Sequence, residues 1–366
     1  MKILQLSYSL SSGGGERFVV DLCNRLAENP QNEVILLTTD DDRNPKNVHY
    51  LGDVSSKVRY INLHSPSGFA LKSFRGVYNT IRREKPDVVH AHCSLLLLVL
   101  PALLMRGVKF VHTLHSLAEE CLEHKWMKGL FRWTYLHRVQ PITISKTCQQ
   151  SYEDLYGNRE AVCITNGREP LVASGKRPAD VDFLRDNDYP VFIHVARCFP
   201  IKNQPRLFRA FDRLEAEGVK FHLLVVGRGY EEKWLPRYKN NHYIHIMGER
   251  KNVADYMALA DYFVLSSNFE GLPLSLLEAM SMGVVPVCTP AGGVVDVIEN
   301  GKNGYCSPSF DDEDFYQSIK QALEDRGKLN RSSIKKEYEE NYSMNVCARK
   351  YYDVYKKLQS NISKDK

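Results

Sequence analysis

Two cations and two carboxylates draw attention by their spacing. Arg197 and Lys202 stand in "HVARCFPIKNQ", just after a short apolar run. A guanidinium fork and an ammonium point charge at that spacing can clamp a diphosphate. An ordinary pair of exposed loop cations is the alternative. Glu270 and Glu278 belong to "SSNFEGLPLSLLEAMSMG", the first in a turn and the second inside an apolar run that reads as helix. Pro273 is acceptable at the first helical position, so a helix can begin right after Glu270-Gly271. Its free amides would favour a phosphate, and Glu278 could accept two hydrogen bonds from a ribose. The competing reading needs no ligand: Ser275-x-x-Glu278 also matches a capping box.

Three weaker signals accompany these. "SYSLSSGGGER" places Gly13, Gly14 and Gly15 between a strand and a helix, where backbone can approach an anion closely. A dinucleotide fingerprint would need a further glycine where Phe18 stands, so a nicotinamide site is disfavoured. In "LLVVGRGY", Gly227 and Gly229 follow a buried strand and serve a ligand or merely a turn. "VKFVHTLHSL" puts His112 in a strand and His115 beyond its end, where an imidazole can hydrogen-bond or shuttle a proton near neutral pH. A satisfied structural histidine is the plainer reading of either. No Asp-x-Asp dyad on a strand end and no cluster of metal ligands is expected.

These residues need strand ends to hold them. The predicted strands are "KILQLSY", "EVILLTT", "VRYINL", "DVVHAH", "VKFVHTL" and "PITIS" in the first half. "PVFIHVA", "FHLLVVG", "YIHIM", "DYFVLSS" and "VVPVCT" follow in the second. Helical stretches such as 15–28 and 70–85 alternate with them, which predicts an α/β chain with parallel sheets. Around 168–190 the apolar periodicity lapses and the chain reads as a connection. Two doubly wound domains follow, with ligands expected at the C-terminal ends of the strands and in a cleft between facing sheets.

Composition narrows the class. The 366 residues suffice for two cores, and 43% hydrophobic with 25% charged residues is a soluble, globular balance. The longest apolar stretch, Leu95 to Met105, is too short to cross a bilayer and contains Pro101. No signal-peptide cleavage signature is expected at the N-terminus. Nine cysteines without a Cys-x-x-Cys pair suit reduced thiols in the cytoplasm. The net charge is +5, and residues 54–138 hold 13 Lys/Arg against 5 Asp/Glu. This basic region fits an anionic membrane, an acidic acceptor or simply solvent. Within it, "HKWMKGLFRWTYLHR" mixes cations with Trp126, Phe131, Trp133 and Tyr135 and reads as a membrane-docking or an ordinary amphipathic helix. Nothing matches a nucleic-acid recognition module.

In this order, the glycine loop, the Arg-x4-Lys pair, Gly-x-Gly and the Glu-x7-Glu motif resemble the large family 4 of retaining glycosyltransferases. The resemblance spans nearly the whole chain and is strongest from "HVARCFPIKNQPRLFRAF" through "GLPLSLLEAMSMGVVPVCTPAGGVVDVIENGKNGY". It implies a GT-B fold: an N-terminal Rossmann-like domain over 1–170, a linker over 171–189 and a donor-side domain over 190–345. A C-terminal helix over 346–366 would cross back onto the first domain. It also implies that Arg197 and Lys202 bind the diphosphate of a nucleotide-sugar and that Glu278 holds its ribose. Glu270 and the amides of Gly271 and Leu272 would meet sugar and phosphate, and Gly227 would belong to the donor site. His115 would sit near donor sugar and acceptor, and Gly14 and Gly15 would approach the diphosphate or acceptor. "GERKN", Gly248 to Asn252, would mark where the base is read. Catalytic roles would fall to His115, Glu270, Arg197 and Lys202, with no metal and no other cofactor.

The reaction so implied moves a hexose or N-acetylhexosamine, from a UDP-sugar, to a glycan or lipid-linked acceptor. Its setting would be bacterial surface polysaccharide or lipopolysaccharide synthesis, on the cytoplasmic side and peripheral to the membrane. A UDP-sugar epimerase on the same fold and a non-catalytic sugar-nucleotide-binding protein remain alternatives. A glycoside hydrolase using both glutamates would leave Arg197 and Lys202 idle.

Overall fold

The computed structural model describes residues 1–66, 70–122, 124–157, 160–185 and 188–360. Residues 186–187 of the predicted connection and 361–366 of the predicted last helix lie outside them. The chain divides into two compact units: unit 1 holds 1–169 with 344–366, and unit 2 holds 170–343.

Unit 1 runs β1 (Lys2–Ser7), α1 (Gly14–Leu26), β2 (Glu33–Asp40), β3 (Val58–Ser65), α2 (Leu71–Glu84) and β4 (Val88–His92). It continues through α3 (Leu96–Val99), β5 (Lys109–Leu114), α4 (Met127–His137), β6 (Val139–Thr143), α5 (Lys146–Tyr156) and β7 (Val162–Cys163). The sheet order is β3-β2-β1-β4-β5-β6-β7, all parallel. The chain first winds outward from β1, then returns to its other side at β4. β1 pairs with β2 from Lys2↔Glu33 to Ser7↔Thr38 and with β4 from Ile3↔Val88 to Leu6↔Ala91. The loops after β1 and β4 therefore diverge at one edge, and a doubly wound sheet opens its ligand crevice at such a reversal.

Unit 2 repeats the plan with β8 (Val191–Val195), α6 (Gln204–Ala216), β9 (His222–Val226), α7 (Leu235–Tyr238), β10 (Ile244–Gly248) and α8 (Val253–Met257). After these come β11 (Tyr262–Leu265), α9 (Leu274–Ser281), β12 (Val285–Cys288), β13 (Tyr305–Cys306), α10 (Asp312–Glu324) and α11 (Arg331–Asn341). The order β10-β9-β8-β11-β12-β13 puts this sheet's reversal between β8 and β11. Residues 170–185 pack on unit 2: Leu171 N donates to Ser281 Oγ at 3.1 Å and Ser174 N to Asp255 Oδ1 at 2.6 Å.

The last helix, α12 (Met344–Ser360), belongs to unit 1, where it packs on α1 and β5. It buries Met344, Cys347, Ala348, Tyr351 and Tyr355, a three-and-four spacing that lines one helical face. Gln359 Nε2 donates to Asp87 O at 2.6 Å, and a buried ion pair between Arg168 and Asp21 ties the end of the first segment to α1. The two strands not anticipated from sequence, β7 and β13, are two-residue sheet edges. Two residues are too few to display alternation. All nine cysteines are free.

Candidate active site

In unit 2 the loops after β8 and β11 meet at the reversal. Beyond β8 the chain forms a short 3-10 turn over Pro200–Lys202, and Asn203 takes a left-handed conformation (φ 45°) to start α6. Its side chain accepts from Arg206 N at 3.3 Å and donates to Asn268 Oδ1 at 2.9 Å. Ser266 Oγ donates to Lys202 O at 2.9 Å, Asn268 N to Ile201 O at 2.8 Å, and Arg206 reaches both Ser266 O and Asn268 Oδ1. These bonds fasten the Lys202 loop to the Glu270 loop.

The carboxylate of Glu270 is their focus. Its Oε1 accepts from Lys202 Nζ at 2.5 Å and from Ser267 Oγ at 2.6 Å, and the residue is buried. Its second oxygen has no partner among the described residues. Neither do the backbone amides of Gly271 and Leu272, which precede α9. Gly292 makes this loop geometry possible: at φ 55°, a Cβ there would lie 1.7 Å from Glu270 O. The next residue's amide, Gly293 N, then reaches Gly271 O at 2.8 Å. The result is a free acceptor oxygen on a largely buried carboxylate, an ammonium and two free amides on adjoining loops, a set suited to a polyhydroxylated anion.

Several expectations need correction. Pro273 is the N-cap of α9 in extended conformation (ψ 123°), not its first helical residue. Ser275 therefore lies inside the helix, which rules out the capping box with Glu278, since that motif needs Ser275 at the N-cap. Lys202 is engaged by Glu270, whereas the Arg197 side chain is exposed and without a partner among the described residues, its backbone carbonyl accepting from Gln204 Nε2 at 3.0 Å. Glu278 is half-buried on α9, and its backbone carbonyl accepts from Ser281 Oγ. Gly227 has a structural reason to be glycine: at φ 148°, a Cβ would meet Ala196 O at 1.9 Å, where β8 and β9 separate. In the "GERKN" segment, Arg250 is held by Asp180 and Tyr256 at 2.9 Å each.

In unit 1, Gly14 and Gly15 are the first residues of α1, with Gly13 as N-cap. Glu16 folds back so that its Oε1 accepts from Ser11 Oγ at 2.8 Å, and it lies where a Cβ on Gly13 would be. The protein's own carboxylate thus stands at that helix terminus. His112 is satisfied structurally by Tyr135 Oη at 2.8 Å and by the Cys93 carbonyl. His115, one residue beyond β5, bonds His92 through Nε2 at 2.9 Å, and Phe18 packs edge-on with ring centroids 5.1 Å apart. Burial, reinforced by His112, pushes the His115 imidazole down to about 3. The ring is half-buried by exposure, and the shift favours its neutral form near pH 7 and, of the two roles open from sequence, the hydrogen-bonding one.

Among the described residues one group of three could share a cation: Asp41, Asp42 and His64, just past β2 and at the end of β3. This overturns the expectation of no clustered ligands. Asp41 is occupied by Arg43, whose hydrogen bonds hold that carboxyl well below its ordinary value. Sequence reasoning also missed Ser267, Asn203 and Gly292. The "PAGG" after β12 was the signal for Gly292, but its partner loop is distant in the chain.

Residues 12–170 match the family described as Glycosyltransferase Family 4, and residues 176–340 match Glycosyl transferases group 1. The two matches together span 12–340 apart from 171–175, with α12 outside them. The chain belongs to these glycosyltransferases. Among curated relatives of this glycosyltransferase is an Escherichia coli UDP-Gal:alpha-D-GlcNAc-diphosphoundecaprenol alpha-1,3-galactosyltransferase. It is 25% identical over 287 residues, 70% of this chain and 71% of the relative. The Bacillus anthracis N-acetyl-alpha-D-glucosaminyl L-malate synthase is 23% identical over 83% of this chain and 84% of its own. In fold, the enzyme resembles a Rickettsia africae glycosyltransferase with TM-score 0.81, at 18% identity over 98% of this chain and 99% of that one. The Anabaena protein HepE, solved with UDP and glucose, gives a TM-score of 0.76 at 18% identity, covering 98% and 100%. The glycosyltransferase thus has the GT-B fold of two parallel-stranded, Rossmann-like sheets.

Proposed function

We propose that this glycosyltransferase transfers a hexose or N-acetylhexosamine from a UDP-sugar to a glycan or lipid-linked acceptor, with retention and without a metal. The observation that carries this is Glu270, a buried carboxylate with one oxygen bound by Lys202 and Ser267 and the other unpartnered. The free oxygen is an acceptor for sugar hydroxyls. Breaking the bond from sugar to diphosphate builds negative charge on the leaving phosphate. The Lys202 ammonium has donors left after serving Glu270, and the Gly271 and Leu272 amides and exposed Arg197 stand on the same two loops. Fixed donors aimed at developing charge are worth most where water is excluded. Glu278 on α9 is assigned to the ribose. The relative named for UDP-galactose transfer to a GlcNAc-diphosphoundecaprenol supports the donor and the acceptor class, and a role in bacterial surface glycan synthesis completes the reading.

Membrane contact at the cytoplasmic face is part of the proposal. Trp126, Trp133 and Leu136 are 69%, 50% and 46% exposed on and beside α4. Lys125, Lys128, Arg132 and Arg138 are exposed with them and have no ion-pair partner among the described residues. Aromatic and basic groups on one helix suit an anionic lipid surface.

Calorimetric titration with UDP tests the donor assignment, and anomeric analysis of the product with and without chelator tests retention and metal independence. Glu278→Ala is expected to weaken UDP binding at least about tenfold, the scale of a charge-assisted hydrogen bond. Undiminished binding by that variant sinks the ribose assignment, and no UDP binding by the wild type sinks the donor.

A further inference from the structure

The three central strands of unit 1 carry polar residues where an apolar core is the rule: Gln5 on β1, His90 and His92 on β4, and Thr113 on β5, all buried. Buried polar groups need partners, and these find one another in a single file. His115 Nε2 lies 2.9 Å from His92 Nδ1, and His92 Nε2 lies 2.7 Å from Gln5 Oε1. Gln5 Nε2 lies 3.1 Å from Tyr355 Oη, which is 2.6 Å from His90 Nδ1. His90 Nε2 then reaches Thr113 Oγ1 at 2.7 Å, and Thr113 Oγ1 reaches Tyr351 Oη at 3.1 Å. The file connects His115 at the sheet edge with two tyrosines of α12.

A neutral imidazole donates from one nitrogen and accepts at the other. Choosing the direction of one bond therefore sets the bonds from His115 through Gln5 to Tyr355. Gln5 supplies the choice. With its carbonyl toward His92, it makes an N–H···O bond of 2.7 Å from His92 and one of 3.1 Å to Tyr355. The reversed amide would need an N–H···N contact at the shorter distance and an O–H···O bond at the longer one, both poor fits. His92 then carries its proton on Nε2 and accepts at Nδ1, and His115 donates from Nε2. His115 Nδ1 has no protein partner among the described residues.

We infer that Gln5, His92 and Tyr355 are positioning residues that hold the His115 proton on Nε2 and present its Nδ1 lone pair to a substrate hydroxyl. The Nδ1 face is thus an acceptor and discriminates against a group that cannot donate. Phe18 fixes the ring plane from the side. The inference rests on the proposal that a sugar or acceptor hydroxyl meets His115, but the proton's location can be read without any substrate.

The test uses the full chain labelled with 15N-histidine, with His115 assigned by the signal missing from His115→Gln. At neutral pH, Nε2 of His115 is expected in the protonated range and Nδ1 in the unprotonated range. A protonated Nδ1, or tautomer-averaged shifts, overturns the inference. Two variants add a functional readout. Gln5→Met removes the acceptor, so His115 becomes tautomer-averaged and turnover falls about tenfold, with donor KM changed less than about twofold. Gln5→Glu can only accept when ionised, so it keeps the Nε2 proton and turns over faster than Gln5→Met. A merely structural role reverses that order, because a buried carboxylate costs more than a thioether of similar size. Equal turnover of the two variants also overturns it. Should neither variant fold, the wild-type spectrum decides alone. Failure of UDP to bind the wild type refutes the proposed donor and leaves the tautomer result intact.

Discussion

Replacing Lys202 by methionine tests the core of the donor-site argument. The lysine and glutamate side chains are 22% and 10% exposed and 2.5 Å apart. Removing one partner of a fully buried pair costs about 3–5 kcal/mol, because the other charge is left without compensation. Partial exposure of Lys202 and the remaining Ser267 hydroxyl reduce this to about 2 kcal/mol. For a unit of this size that is a fall in Tm of about 4–8 °C. The same substitution removes a charge-assisted bond to the diphosphate of about 1.5–3 kcal/mol, so UDP affinity falls about 10- to 100-fold. The double variant Lys202→Met/Glu270→Gln separates the two effects. Neutralising the stranded carboxylate restores most of the Tm, while UDP binding stays weak. Differential scanning calorimetry and UDP titration on wild type, both singles and the double give a complete cycle. Wild-type Tm and UDP affinity in Lys202→Met would refute the reasoning, and so would a double variant no more stable than the single.

Gly292→Ala puts a methyl group 1.7 Å from Glu270 O at φ 55° and should lower both Tm and UDP affinity, as read by the same two assays. Gly301→Ala, at φ 73° with nothing within 4 Å, carries only backbone strain of about 1 kcal/mol and is the control. Burial, with the neighbouring histidines, depresses His90, His92 and His115, and burial alone depresses His112. These rings stay neutral when folded but take up protons in the unfolded chain below about 6.5. The unfolded state then binds more protons, so stability is complete above that pH. It falls below it by up to about 1.4 kcal/mol per pH unit for each histidine. Thermal melts at pH 7, 6 and 5 should show a steep fall, and a flat Tm across that range contradicts the burial argument. Lys128→Ala/Arg132→Ala should weaken sedimentation with anionic vesicles about 30-fold at low salt, from about 1 kcal/mol per cation near the surface. If the wild type does not sediment even at low salt, membrane docking through α4 is wrong.

Much of the architecture was legible because its determinants are local. Short apolar runs alternating with helical periodicity required a parallel α/β chain, and eleven of the strands follow from them. Arg197, Lys202, Glu270 and Glu278 stood out because their spacings survive without knowledge of what lies across from them. Strand order was not legible. Nothing in the runs themselves says that β1 meets β4 or that β8 meets β11, yet the second pairing brings the loops of Lys202 and Glu270 together. The role of Gly292 depends on a carbonyl in a different loop. The capping box failed because Pro273 takes the N-cap, a choice made by how the Glu270 loop enters α9.

By itself, the sequence determined the element types, the chemistry-bearing residues and their place at strand ends, since periodicity, turn chemistry and side-chain charge act over a few residues. Tertiary structure alone decided which of those residues are partners. Lys202 drew attention through its spacing from Arg197, and its partner in space is Glu270. His115 was open to a hydrogen-bonding or a proton-shuttling role, and its half-buried place against His92 and Phe18 favours the first. Gln5, His90 and His92 look like misplaced polar residues in the sequence. They form one file only when β1, β4, β5 and α12 pack together, because a hydrogen bond is set by distance in space and not by separation along the chain.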